Sequence, residues 1–168
     1  AVATQTAAAE TAISLIGRVA TLEPWGCHAL LCAGAIDALS ALLRAFTLSP
    51  AGSTNLCVQS CAALGKLART SEGRRAIMRD ATPQLVCMLL PTLDKQIGLQ
   101  AEAVLTLADC ANAAPARSLL RGEQLVEHAV RRLRALTSLP VGDAPRMALL
   151  ERLLLLLSRA AHDPSLSA

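Results

Sequence analysis

Aromatic side chains are nearly missing from these 168 residues: one Trp, one Phe and no Tyr. β-Sheets draw on aromatic and β-branched side chains, so the scarcity argues against a strand-built core. It also removes the stacking platforms on which single-stranded nucleic acid is held. Lysine is scarce too, with two residues against 14 Arg, and the formal charge is only +3. The basic residues are spread along the chain, so the concentrated basic face of a nucleic-acid binder is not expected. Long apolar runs are lacking. The leucine run Leu153, Leu154, Leu155, Leu156 and Leu157 lies within 147–157, a stretch broken by Glu151 and Arg152. That is far short of the roughly 20 residues a bilayer-spanning helix needs, and no membrane partner is expected. The chain begins Ala1-Val2-Ala3, with neither an initiator Met nor a signal pattern, and is expected to be a piece of a longer protein.

What the chain does have is Ala and Leu, 33 and 32 residues, the leading helix formers. At this length a chain can bury roughly 68–70% of its unfolded surface, enough for a real core. Proline and glycine punctuate it at Glu23-Pro24, Ser49-Pro50-Ala51-Gly52-Ser53, Thr82-Pro83, Pro91, Ala114-Pro115, Leu139-Pro140 and Ala144-Pro145. Helix-length pieces lie between these marks. Within 55–69 the apolar positions Leu56, Val58, Cys61, Ala62, Leu64, Leu67 and Ala68 follow helical rather than alternating spacing. Ile36, Leu39, Leu42, Leu43 and Phe46 do the same. Pro83 and Pro115 suit the first turn of a helix, where a missing N–H costs nothing.

Chemistry-bearing residues form no obvious catalytic set. Six cysteines, Cys27, Cys32, Cys57, Cys61, Cys87 and Cys110, sit in Ala/Leu-rich helical patterns, where free thiols act as small buried hydrophobes. Reduced thiols imply a reducing, cytoplasmic compartment. Cys57 and Cys61 are four apart, yet no CxxC or His pair completes a metal site, so no metal or other cofactor is expected. His28 beside Trp25 reads as a partly buried packing residue. His128 reads as part of a solvated face. Gly65-Lys66 lacks the rest of a phosphate loop.

Internal repetition is the informative signal. Leu15-Ile16-Gly17-Arg18-Val19-Ala20 aligns with Ala63-Leu64-Gly65-Lys66-Leu67-Ala68 and with Thr106-Leu107-Ala108-Asp109-Cys110-Ala111. A weaker copy is Leu156-Leu157-Ser158-Arg159-Ala160-Ala161, giving spacings of 48, 43 and 50 between the polar positions. A second pattern links 29–43, which contains Gly34-Ala35-Ile36, to 75–89, and more loosely to 116–122 and the helix expected at 125–136. In this order and period the chain resembles the armadillo repeat family. The resemblance implies an all-α fold, a right-handed α-solenoid of stacked armadillo-like helical repeats. These are expected at 5–48, 53–91 and 94–138, with a partial unit at 145–162, in one domain over 1–168. HEAT repeats share stacked helix pairs and a similar period, and short middle helices around 27–32, 73–79 and 116–121 favour armadillo.

In that family the polar residue of the phrase lies on a concave surface able to track an extended peptide. Carried over, the ladder is Arg18, Lys66, Asp109 and Arg159. Importin-type members place Asn there and Trp four residues earlier; this chain has Ser14, Ala62, Leu105 and Leu155 instead, a departure from nuclear-signal recognition. Three basic positions of four resemble the catenin-type groove for acidic partners, since Arg and Lys pair with carboxylates and phosphates. The expected function is therefore a non-enzymatic protein-interaction scaffold binding an acidic or phosphorylated segment. Secondary basic groups are Arg74, Arg75 and Arg79, and Arg131, Arg132 and Arg134. Either could contact an anion, or serve as a solvated face whose stems cover apolar surface. The alternative is a structural segment packed end to end in a large assembly, such as a ciliary axoneme or transport complex. In that case the leucines at 153–157, apolar all round, are the docking face against further repeats or subunits.

Overall fold

Ala and Leu supply helix propensity everywhere and little that would hold a strand, and every regular element among the described residues is an α-helix. The computed structural model describes residues 2–22, 25–48, 54–80, 86, 97–111, 125–138 and 144–161. The helices are α1 (Val2–Val19), α2 (Trp25–Cys32), α3 (Ala35–Leu48), α4 (Thr54–Leu67), α5 (Ser71–Arg79), α6 (Ile97–Cys110), α7 (Leu125–Thr137) and α8 (Ala144–Ala161). The expected helix starts at Pro83 and Pro115, the short helix at 116–121 and Cys87 lie outside the described residues. No single described helix is long and apolar enough to cross a membrane; α2 and the apolar part of α3 pass together by composition but bend by 65° at their junction.

That bend is set by Gly34, whose φ of 74° lies in the left-handed region that side chains resist. Its N–H donates to Leu31 O at 3.1 Å, closing α2 before Ala35 opens α3. The junctions α1–α2 and α4–α5 share a different device. A Cβ at Gly26 would stand 2.0 Å from Val19 O, and one at Gly73 would stand 2.0 Å from Leu67 O. Val19 and Leu67 are equivalent residues of the repeated phrase, so a glycine seven or six residues further on lets the short helix close against the end of the long one. Thr70 caps α5, its hydroxyl accepting from Gly73 N at 3.0 Å.

The long helices α1, α4, α6 and α8 pack side by side in that order, α2 lies on α5, α3 on α4 and α7 on α8. Core side chains come from this row: Ile13 of α1, Cys61 and Leu64 of α4, Val104 and Leu107 of α6, Leu149 and Leu153 of α8. Helix α6 lies between two neighbours, and every residue from 103 to 111 except Leu105 is buried. Its contact with α4 is close because Gly65 faces Thr106. The Thr106 hydroxyl lies 2.7 Å from Cys61 O and 2.9 Å from Glu102 O, so a buried polar group is satisfied across the helix pair. Polar contacts join the other neighbours as well: Asn55 Nδ2 donates to Glu10 Oε1 at 2.9 Å, and Arg152 Nη1 to Glu102 Oε1 at 2.6 Å.

Two expectations about burial change. Cys27, Cys57, Cys61 and Cys110 are buried free thiols, but Cys32 is exposed, because it ends α2 on the side facing away from the core. The run at 153–157 is not buried all round: Leu153 and Leu156 are 1% exposed, whereas Leu154 is 54% exposed. Helix α8 packs on α6 and α7, and Met147 and Leu154 on it stay exposed.

Candidate functional site

Arg18, Lys66 and Arg159 each fall in the last turn of their helix, α1, α4 and α8. There the unsatisfied carbonyls favour a positive charge, which accounts locally for three basic ladder positions of four. Asp109 stands in the corresponding place on α6 against that preference, and the structure supplies the reason. Arg159 Nη1 lies 2.8 Å from Asp109 Oδ1 and 2.7 Å from Ala108 O, so the guanidinium neutralises the carboxylate and also caps a carbonyl of α6. Asp109 is 8% exposed. The α6–α8 end of the ladder is therefore electrically closed.

The α1–α4 end is open. Arg18 is exposed and Lys66 half-buried, and neither makes an ion pair among the described residues. The missing side chain at Gly17 gives Lys66 its path: Lys66 Nζ lies 3.3 Å from where a Cβ of Gly17 would be, beside Arg18. Arg18 and Lys66 thus lie on neighbouring helices, with the Lys66 ammonium reaching the residue before Arg18. Glu10, Thr11, Ser14, Leu15 and Arg18 line an open depression along α1.

The secondary basic groups divide. Arg74 Nη1 donates to Ala68 O and Arg69 O, both at 2.9 Å, and so ties off the end of α4 rather than facing a ligand. Arg132 Nε donates to Gln100 Oε1 at 2.9 Å, joining α7 to a buried amide of α6. Arg131 pairs with Glu127 one turn earlier on the same helix at 2.7 Å. Arg75, Arg79 and Arg134 are exposed. Of the five leucines assigned to apolar docking, Leu153 and Leu156 are corrected to core residues. Leu154 is exposed, while Leu155 and Leu157 are half-buried.

Both described histidines, His28 and His128, depart from expectation. His128 is half-buried rather than solvated. His28 is not a packing residue: its side chain is 61% exposed, and Nδ1 lies 3.1 Å from Glu72 Oε1. Trp25 beside it is 81% exposed and gives it no apolar shelter. Neither Glu72 nor Cys32 stands out from the sequence as a partner of His28; the i,i+4 spacing of His28 and Cys32 on one short helix is the only local signal. No group of three His, Cys, Asp or Glu side chains among the described residues could hold a metal ion. Comparison with family models, with curated proteins and with solved structures finds no match to this chain.

Proposed function

We propose that this chain is an armadillo-like solenoid segment acting as a non-enzymatic interaction scaffold, in which Arg18 and Lys66 hold an acidic or phosphorylated segment of a partner protein. Support for the repeat reading comes from register. Positions paired by the 48-, 43- and 50-residue spacings lie on neighbouring helices, and Asp109 and Arg159 meet directly. The carrying observation for function is that Arg18 and Lys66, on the neighbouring helices α1 and α4, make no ion pair among the described residues. An anion bridging both gains charge-assisted hydrogen bonds from two helices at once. The closed Asp109–Arg159 pair narrows the binding ladder to its first two positions.

A test is affinity capture with quantitative mass spectrometry, using the chain and an Arg18→Glu/Lys66→Glu variant whose helicity is intact by circular dichroism. Loss of the main captured proteins with the variant is expected. Their retention sinks the reading.

A second reading rests on α8. Met147, 43% exposed, and Leu154, 54% exposed, are seven residues apart on its open side, with half-buried Leu150 and Leu157 between and beyond them. That spacing suits a further helix packed alongside, as α6 packs on α4, and would make the chain one span of a longer assembly.

A further inference from the structure

The contacts Glu72–His28–Cys32 lie apart from the cationic surface and play no part in it. His28 and Cys32 are one turn apart on α2, and Cys32 Sγ lies 3.6 Å from His28 Nε2. The other ring nitrogen, Nδ1, lies 3.1 Å from Glu72 Oε1 on α5. An ionised carboxylate only accepts, so it holds the imidazole proton on Nδ1 and leaves the Nε2 lone pair facing the thiol. Thiol, base and orienting carboxylate thus follow one another in the order that activates a weak nucleophile. Their donor atoms run in a line instead of converging on a point, in keeping with the absence of a metal-holding group among the described residues. All three side chains are open to solvent, whereas Cys27, Cys57, Cys61 and Cys110 are buried. Among the described cysteines, Cys32 is the one that a reagent can reach.

We propose that Cys32 is a modification site for low-molecular-weight disulfides, with His28 as its base and Glu72 as a positioning residue. As the Cys32 sulfur attacks one sulfur of the disulfide, its proton passes to His28 Nε2. A new S–S bond forms, the old one breaks, and the leaving thiolate takes the proton from His28 and departs as a free thiol. The Cys32 sulfur is oxidised and the leaving sulfur reduced, so the step balances with the disulfide as oxidant. Assistance comes from proton acceptance by His28 during attack. The open face suits stoichiometric tagging by a small reagent.

The experiment is incubation of the intact chain with oxidised glutathione, followed by site-resolved mass spectrometry over time. Cys32 is expected to gain the adduct ahead of the four buried thiols, and His28→Ala to slow it about tenfold, at the modest end of general-base effects. Added imidazole should restore part of that rate in His28→Ala and leave the unmodified chain unchanged. Glu72→Gln should slow Cys32 about threefold alone and not at all in the His28→Ala background, as required of a residue acting through the base. If His28→Ala unfolds, His28→Gln, closer in volume, carries the same comparison without the imidazole arm. An unchanged Cys32 rate in the histidine variant, or failure of imidazole to rescue, overturns the proposal.

Discussion

At Gly26 and Gly73 a methyl group would collide with a backbone carbonyl, and neither a rotamer change nor a flexible tip can relieve the clash. Gly73→Ala is therefore expected to destabilise the fold by about 3 kcal/mol, despite the gain of about 1 kcal/mol in helix propensity that the exchange normally brings. Gly98→Ala is the control: nothing lies within 4 Å of its added methyl, and a gain of about 0.5 kcal/mol is expected. Urea unfolding of both variants checks the pair. Burial acts on Cys110 in a second way. Desolvation, with the nearby Asp109 charge, pushes its thiol up to about 12 from an ordinary 9.0. The folded state thus keeps its proton where the unfolded chain loses it. The stabilisation is whole below pH 9 and is lost as pH rises from there toward 12, at up to about 1.4 kcal/mol per pH unit. Buried Cys61, hydrogen-bonded with Cys57, is pushed up as well, so Cys110→Ala removes one of the contributions that act in that window. Urea midpoints from pH 8 to 10.5 should fall less steeply for Cys110→Ala than for the parent chain; parallel curves contradict the assignment.

Among the elements, the long helices were the most legible in the sequence, because Ala/Leu periodicity and proline punctuation act within one helix. The expectation at 35–46 became Ala35–Leu48, and that at 55–69 became Thr54–Leu67. The phrase positions were legible for the same reason, since a small residue before a polar one marks where neighbouring helices approach closely. Pairings between elements were not. Glu72 reaches His28 only because α5 packs on α2, a contact spanning 44 residues. Asp109 reads from sequence as an odd charge in a basic ladder until Arg159 is set against it. Nor could periodicity separate Leu153 from Leu154, which depends on which side of α8 finds α6. The Asp109–Arg159 contact predicts coupling. Arg159→Met leaves a nearly buried carboxylate unpaired and should cost about 2 kcal/mol, whereas Asp109→Asn combined with Arg159→Met should cost less than the sum of the single changes. A double-mutant cycle by urea unfolding that closes additively refutes a direct α6–α8 contact at this register.

For the whole molecule, the row α1, α4, α6, α8 leaves one charge-closed end and one charge-open end. The net charge of +3 is too small to act as a general attractor, so the proposed recognition would rest on where Arg18 and Lys66 stand rather than on bulk electrostatics. Exposed ion pairs are screened over roughly 8–10 Å at ordinary salt, and binding through Arg18 and Lys66 must weaken as salt rises. The most direct measurement is fluorescence anisotropy with a labelled acidic segment from a captured partner, titrated with the parent chain and with Arg18→Glu/Lys66→Glu, at low and at raised salt. The account predicts an affinity that falls with salt and falls at least about tenfold, or about 1.4 kcal/mol, on double charge reversal. Equal affinity for the two chains, unchanged by salt, would contradict it and move the interaction to the open side of α8.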